Sequence, residues 1–229
     1  MFNLVIITSA IHTCSNPLSY SNTRSAFTHE QRLQQSINTM KSVRSYIPNS
    51  YVVYVEGTVL NDSFKSILLN EVDHLHEAAY IDNILEHVNG PYKGYAENKK
   101  ILSYFTSDHY KNNKDMFVSI SKISGRYYMS NRFTFEVTNN KIIGHIRYNN
   151  DAHPSGIWML SLFYTISNEL KDKYIEILNQ CDKDEELQQG VALEHILPKY
   201  IINNNIEINN KFRLNVEGTY GPWGSFISH

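Results

Sequence analysis

The segment NLVIITSA, residues 3–10, predicts the strand around which the rest of the chain is organised. It is rich in β-branched residues and ends in small polar ones, as does a buried strand that leads into a loop. A helix follows, because Thr28 and Gln31 have capping-box spacing, apolar residues repeat at helical spacing, and Pro48 ends the run. Residues 51–56 predict a second strand. A strand, a helix and a strand in this order predict a βαβ unit, and hence an α/β protein.

The remainder of the chain continues to alternate between helical and strand patterns. The patterns first predict one or two short helices over 61–88, a helix over 95–108 and a strand over 116–121. A hairpin of strands 133–137 and 141–148 around Asn139-Asn140 follows. The rest of the chain predicts a loop and a long helix over 152–178, a helix over 185–201, and short strands after it. No internal repeat or linker-like stretch interrupts this order. We therefore expect one domain, residues 1–229.

Composition argues against several classes of protein. The 21 Lys and Arg residues are balanced by 23 Asp and Glu residues, with no basic stripe, which argues against a nucleic-acid partner. Cys14 and Cys181 fit no CxxC spacing, which argues against a thiolate zinc site and favours a reducing compartment. The apolar N-terminal run is short and lacks a basic region before it, so it reads as a strand and not as a signal peptide. We expect a cytoplasmic protein without a membrane span.

The stretch KISGRYYMSNRF, residues 122–133, places cations and aromatic rings directly after a predicted internal strand. Open α/β sheets bind ligands at the carboxyl ends of their strands. An Arg offers a planar fork of donors to phosphate, a Lys offers a compact charge, and a Gly lets the backbone approach a ligand and can adopt positive φ. Lys122, Gly125 and Arg126 therefore indicate an anion site. A β-turn with two solvated cations and a packed Tyr is the alternative.

Three motifs, together with the order of elements, resemble small GT-A-type glycosyltransferases. The closer likeness is to those encoded by large DNA viruses of algae, the chlorovirus type, and to some bacterial polysaccharide-synthesis proteins. The motifs are TRSAFTHEQR (residues 23–32), K-G-x-x-E (Lys93, Gly94, Glu97) and K-x-S-G-R-Y (Lys122, Ser124, Gly125, Arg126, Tyr127). The resemblance implies a single GT-A-like, Rossmann-like domain, with a mixed central sheet flanked by helices. Its nucleotide-sugar-binding half spans about residues 1–130 and its acceptor-side half about residues 131–229.

The implied activity is transfer of a hexose or pentose from a nucleoside diphosphate sugar, such as a UDP-sugar, to a glycan acceptor. A viral capsid-protein or surface glycan, made in the host cytoplasm, is the implied product. Aligning the strands puts SISKIS, residues 119–124, where the metal-binding DxD of the GT-A fold stands. We therefore expect no cofactor, with Lys122 and Arg126 meeting the diphosphate charge. A divalent cation such as Mn²⁺ or Mg²⁺ is the less favoured alternative, and the DKD at residues 182–184 reads as charged surface.

Further candidate residues lie at strand ends and helix starts. Arg24 and Arg32 bracket the start of the first helix, where free N–H groups and the helix dipole favour an anion. Glu56, at a strand end, can accept hydrogen bonds from a ribose or a base. Lys93 and Glu97, four apart on a helix, can bind the donor sugar or pair with each other. The predicted substrate-binding set is Thr8, Ser9, Ala10, Arg24, Arg32, Glu56, Lys93, Glu97, Lys122, Ser124, Gly125, Arg126, Tyr127, His153 and Trp158.

Glu194 is the first candidate for the catalytic base and Asp151 the second. Apolar residues flank Glu194, and a carboxylate so placed must be paired, face a cleft or have a raised pKa, unless it is a solvated helix position. Asp151 shares a loop with His153 and Trp158, which offer an acceptor platform. A non-catalytic nucleotide-sugar- or carbohydrate-binding protein on the same fold is the alternative function. A methyltransferase is weaker still, because the first loop has no Gly.

Overall fold

The computed structural model describes residues 1–148, 154 and 156–229. The helices are α1 (His29–Tyr46), α2 (Asp62–Leu69), α3 (Ile84–Asn89), α4 (Lys93–Thr106), α5 (Asp108–Asn113), α6 (Lys171–Asp182), α7 (Glu185–Gln188) and α8 (Leu193–Asn203). The strands are β1 (Phe2–Ser9), β2 (Ser50–Glu56), β3 (His74–Glu77), β4 (Phe117–Ser124), β5 (Tyr127–Met129), β6 (Lys141–Gly144), β7 (Ile146–Tyr148), β8 (Ile157–Met159), β9 (Phe163–Ser167), β10 (Glu207–Asn210), β11 (Val216–Thr219) and β12 (Phe226–Ser228). None of the helices in this described part is long and apolar enough to cross a bilayer.

Seven strands form one mixed sheet in the order β10-β6-β9-β4-β1-β2-β3. β1 pairs in parallel with β2 on one side and with β4 on the other, whereas β9 is antiparallel to β4 and β6. The helix α1 packs on one face, and α4, α6 and α8 pack on the other. The predicted α/β fold with a mixed central sheet flanked by helices is therefore confirmed.

The strand order reverses between β1 and β4. The chain lays β2 and β3 on one side of β1 and then crosses over to place β4 on the other side. In open α/β sheets, such a reversal leaves a crevice outside the carboxyl ends of the two strands. β1 is buried from Asn3 onward because it lies in the middle of the sheet. The loop after β1 then enters α1 through the predicted capping box, in which Thr28 and Gln31 bond each other's backbone N–H groups.

Several predicted elements are wrong. The hairpin around Asn139-Asn140 does not form, because residues 133–138 make no strand and β6 pairs with β9 and β10. The residues predicted as helix at 74–77 form β3, and β9 lies inside a segment predicted as loop and helix. Gly190, at φ 105°, divides the predicted helix 185–201 into α7 and α8. β9 was missed because all five of its residues are buried, which leaves no polar alternation to read.

Candidate functional site

A crevice opens at the reversal point, over the carboxyl ends of β1 and β4. Its inner chamber lies over the strand ends, and an outer chamber lies beside it, with Lys93, Glu97, Ser124 and Arg126 lining both. Of the predicted substrate-binding residues, the inner chamber is lined by Thr8, Ser9, Ala10, Arg24, Arg32, Lys93, Glu97, Ser124, Gly125 and Arg126. The outer chamber is lined by Tyr127, Trp158 and Glu194 in addition to the shared residues.

One face of α4 forms a wall of the inner chamber. Lys93, Glu97 and Lys100 follow one another at spacings of four and three residues, so all three lie on that face. The ammonium of Lys100 donates to the carbonyl of Ser9 at 2.9 Å. Nζ of Lys93 is 3.5 Å from the carbonyl oxygen of Arg24, which is a long contact. Lys93 therefore keeps donors for a ligand, whereas Lys100 is fastened to the end of β1.

Lys122 does not line the crevice. Its side chain is 1% exposed, and its ammonium forms a salt bridge with Glu97. It also donates to Oγ of Ser124 at 2.9 Å and to the carbonyl of Ser161 at 2.5 Å, so its three donors are all used. The structure thus corrects the predicted direct contact between Lys122 and a diphosphate, because the ammonium lies beneath the site and holds Glu97.

Glu97 is a carboxylate held at the junction of the two chambers. Lys122 and the hydroxyl of Thr8, at 3.3 Å, both approach its Oε1. Oε2 makes no hydrogen bond to a described residue, and 22% of the side chain is exposed. Burial raises the pKa of Glu97, but the charges of Lys122 and Lys100 outweigh that effect, so its pKa lies below the ordinary value. Glu97 therefore presents one charged, unoccupied oxygen to the crevice.

The guanidinium of Arg24 holds a loop in place through hydrogen bonds to backbone carbonyls. Arg24 is 4% exposed as a whole residue, and its guanidinium donates to the carbonyls of Asn16 at 2.8 Å, Val88 at 2.7 Å, Asn89 at 2.9 Å and Gly90 at 2.5 Å. The last three carbonyls lie at the carboxyl end of α3, where unpaired carbonyls and the helix dipole attract a cation. Arg24 therefore clamps α3 from the wall of the inner chamber, and its predicted contact with an anion stays a prediction.

Two other guanidinium groups keep donors that no described residue uses. Nε of Arg32 donates to the carbonyl of Ala10 at 2.7 Å and Nη1 to Oγ of Ser25 at 3.1 Å, which leaves Nη2 without a partner in the described chain. The side chain of Arg126 forms neither a hydrogen bond nor a salt bridge within the described residues, and its guanidinium carbon lies 5.9 Å from the centre of the Tyr127 ring. An anion would find its strongest donors on these two residues.

The cations of the inner chamber lower one another's pKa values. Burial, followed by the charges of Arg126 and Arg32, lowers the pKa of the Lys93 ammonium to about 7. Burial lowers the pKa of Lys100 to about 8 against the opposing charge of Glu97. Burial and the charge of Arg126 lower the pKa of Arg32 to about 10. Like charges gathered in a poorly hydrated space favour a ligand that carries several negative charges.

Glu56 and Gly125 serve the framework of the site. Glu56 is fully buried, and its Oε1 accepts from the backbone N–H groups of Ile11 at 3.0 Å and Thr58 at 2.9 Å. It joins the loops after β1 and β2, so the predicted contact with a ribose or base is corrected. Gly125 has no positive φ, and a Cβ there would lie 3.2 Å from Oγ of Ser36 on α1. Its missing side chain lets the turn after β4 pack closely against α1.

The outer chamber carries Glu194. Because α8 begins at Leu193, Glu194 lies in the first turn of that helix and faces the chamber. Oγ of Ser161 donates to its Oε1 at 2.6 Å, while the carbonyl of Ser161 accepts from Lys122. Ser161 thus orients Glu194 and connects it to the salt bridge between Lys122 and Glu97. Tyr20, Tyr92 and Tyr220 line the same chamber, and their rings and hydroxyls suit a sugar, which presents both C–H groups and hydroxyls.

Asp151 and His153 lie outside the described residues. Where the chain is described, no three His, Cys, Asp or Glu side chains converge as metal ligands would. Of the DKD at residues 182–184, Asp182 pairs with Lys99 at 3.0 Å and Asp184 caps α7. Both carboxylates therefore interact with groups of the protein itself.

Sequence reasoning missed several residues that line the crevice. Lys100 continues the helical spacing of Lys93 and Glu97, so this spacing could have revealed it. Tyr20, Ser161 and Tyr220 come from three segments that are far apart in the chain, and only the folded structure brings them together.

No protein-family model matches the chain, and no curated protein is significantly similar to it in sequence.

Proposed function

We propose that the protein is a glycosyltransferase that moves a sugar from a nucleoside diphosphate sugar to a glycan acceptor without a metal ion. One observation carries this proposal: a cationic chamber at the strand ends opens directly into a chamber lined by a carboxylate and aromatic rings. A nucleotide sugar needs the first and an acceptor needs the second. The mixed sheet is compatible with a GT-A-like domain. The sequence resemblance adds a viral capsid-protein or surface glycan, made in the cytoplasm, as the proposed product.

In this proposal the diphosphate of the donor lies against Arg126, Arg32 and Lys93. Each of these three lining cations keeps donors that described residues leave unused. Lys93 is also the first residue of α4, so the free N–H groups of that helix start lie beside the same space. Together these groups would stabilise the charge that develops on the departing diphosphate. Lys122 contributes indirectly, by holding Glu97 at the junction between the chambers.

The proposed reaction uses Glu194 as the base. The acceptor oxygen attacks the anomeric carbon of the donor sugar while the bond from that carbon to the diphosphate oxygen breaks. The electron pair of this bond leaves with the nucleoside diphosphate, and the acceptor proton passes to the carboxylate of Glu194. The hydrogen bond from Ser161 fixes one carboxylate oxygen and leaves the other for this transfer.

Donor binding is tested first, with a panel of nucleotide sugars in a thermal-shift assay. A bound donor should raise the melting temperature of the wild type. Arg126→Ala should weaken donor binding by roughly tenfold to a hundredfold, the loss of one charge-assisted contact. Arg132→Ala, which removes an exposed Arg that lines neither chamber, is the matched control and should bind normally. Equal donor affinity in Arg126→Ala and wild type would contradict the diphosphate site.

Catalysis is tested separately, because a purely binding protein is the second candidate. That candidate is favoured by the fact that Glu97 and Glu194 both already have protein partners. In a transferase, Glu194→Gln should lower kcat by about 10²–10⁴ while donor affinity is kept. Glu185→Gln, at an exposed position of α7, should leave kcat unchanged. Donor binding without turnover in the wild type would favour the binding protein. Activity that EDTA abolishes and Mn²⁺ restores would contradict the metal-free mechanism.

A further inference from the structure

An exposed tryptophan stands at the rim of the outer chamber. Trp223 is 61% exposed, and its ring stacks on that of Tyr220 with 4.9 Å between centroids and 12° between planes. The ring of Tyr20, itself 48% exposed, lies 6.2 Å from Trp223. We call Tyr20, Tyr220 and Trp223 the aromatic platform. So much exposed aromatic surface adds little to the core, and exposed apolar surface of this kind marks a place where something binds.

The backbone holds the platform in place. The N–H of Gly224 donates to the carbonyl of Tyr220 at 2.8 Å, and the N–H of Tyr220 donates to the carbonyl of Ser225 at 2.8 Å. The N–H of Ala26 donates to the carbonyl of Gly221 at 2.9 Å, which ties this turn to the loop before α1. Gly224 has a φ of 66°, which few other residues adopt without strain. The platform is therefore ordered before a ligand arrives, which lowers the entropic cost of binding.

The platform is continuous with the space in front of Glu194. Tyr20 and Tyr220 line the outer chamber together with Glu194. Burial raises the pKa of the Tyr220 phenol, and the charge of Glu194 raises it further. Trp223 contacts both of these rings and does not itself line the chamber. A ligand whose reacting end sits at Glu194 would therefore have its next unit against Trp223.

We infer that the aromatic platform binds a second sugar of the acceptor, so that the acceptor is an oligosaccharide. This inference rests on the proposed function. Sugar rings present flat C–H faces that pack on Trp, and hydroxyls that bond to phenols. All three platform side chains are uncharged, which suits a neutral glycan. A single sugar would reach Glu194 without touching Trp223.

Isothermal titration calorimetry without a donor tests this inference. The probes are gluco-, xylo-, manno- and chito-oligosaccharides and their parent monosaccharides. In at least one series, oligosaccharides should bind more tightly than the monosaccharide. Trp223→Ala should weaken oligosaccharide binding on the order of tenfold and leave monosaccharide binding unchanged. Phe212→Ala removes an aromatic side chain that is 84% exposed outside both chambers, and should bind like the wild type.

The outcomes separate this inference from the proposed function. If nucleotide sugars fail to bind or react but oligosaccharides bind through Trp223, the transferase fails and the platform stands. If transfer occurs and Trp223→Ala leaves the KM for oligosaccharide acceptors unchanged, the platform inference fails alone. Absence of oligosaccharide binding to the wild type would also overturn it. So would binding to phosphatidylcholine and phosphatidylglycerol vesicles that depends on Trp223, because the platform would then meet a lipid surface.

Discussion

Lys93 lines the inner chamber together with Arg126 and Arg32, and burial together with their charges lowers the pKa of its ammonium to about 7. A bound diphosphate opposes both effects and raises this pKa, so binding takes up a proton above neutral pH. We expect the affinity for a nucleotide sugar to be level at acid pH. It should fall as the pH rises above about 7, by at most about tenfold per unit, until the pKa of the complex is passed.

Calorimetry at several pH values, in buffers of different ionisation enthalpy, measures this proton uptake. A nucleotide sugar is the right ligand because its diphosphate is a diester and does not titrate near neutral pH. Lys93→Met should bind more weakly at low pH and lose the part of the slope near pH 7, which leaves only the part that Lys100, with a pKa of about 8, contributes at higher pH. Lys111→Met, which changes an exposed Lys on α5, should keep the slope of the wild type. A slope near pH 7 that survives in Lys93→Met would assign the proton to another group.

Arg24 illustrates how one residue type can serve either the ligand or the fold. Its donors meet carbonyls at the end of α3. We therefore expect Arg24→Lys to lower the free energy of unfolding by roughly 2–4 kcal/mol, because several buried carbonyls lose their partner. Urea unfolding measures this. Arg44→Lys, at a half-exposed Arg, should cost less than about 1 kcal/mol. Unchanged stability with lost donor binding would restore the ligand role that the sequence suggested for Arg24.

Between β3, α4 and α5 the structure gathers three histidines. The rings of His74 and His109 stack 3.6 Å apart, and Nε2 of His76 bonds Oγ of Ser103 at 3.0 Å. His74 and His76 lie on β3, and in the described part of the chain they form no metal site. Burial lowers the pKa of His74 and of His76 to about 4, and it lowers the pKa of His109 as well.

These lowered pKa values predict a loss of stability in acid. The unfolded chain binds protons to these histidines below about pH 6.5, while the folded protein resists until about pH 4. The free energy of unfolding should therefore fall as the pH drops through this window. His74→Phe keeps the stacked ring and removes one titrating group, so unfolding should take up about one proton fewer. Urea unfolding at several pH values tests this, with the exposed His29→Phe as a control that keeps the slope.

Whether an element could be predicted from the sequence depended on its length and on its surroundings in the fold. β1, α1, β2 and β4 were predictable because long periodic or apolar runs define them, with a capping box at Thr28 and a Pro after α1. The short strand β3 has a half-polar sequence, and β9 is buried on both faces, so neither shows a clear period. The hairpin prediction failed because pairing of β6 with β9 and β10 is set by long-range packing and not by the local turn.

At the scale of the whole molecule, residues from both ends of the chain line the crevice. The described residues that line the inner chamber all fall between Thr8 and Arg126, whereas the outer chamber adds residues from Trp158 to His229. The position of the inner chamber was predictable, because strand ends and helix starts are local features. The turn that carries Tyr220 was not, because its approach to Arg126 depends on the pairing of β11 with β5.

Because this turn approaches Arg126, the position of the Arg126 guanidinium depends on Gly221, almost a hundred residues away in the chain. A Cβ on Gly221 would lie 1.9 Å from Nη1 of Arg126, so Gly221→Ala must displace the guanidinium. Because Gly221 has no positive φ, the turn itself should tolerate Ala. We expect Gly221→Ala to weaken nucleotide-sugar binding by about as much as Arg126→Ala, roughly tenfold or more. Ser225→Ala, in the same turn, should bind normally.

A double-mutant cycle measured by calorimetry decides whether Gly221→Ala weakens donor binding only by displacing Arg126. If Gly221 acts by giving Arg126 room, adding Gly221→Ala to Arg126→Ala should cost no further affinity, and the coupling energy should equal the effect of the single change. Additive losses would show that Gly221→Ala disturbs the turn as a whole. Normal binding by Gly221→Ala would show that the guanidinium can move without cost, and that donor binding does not depend on how the end of the chain packs over the site.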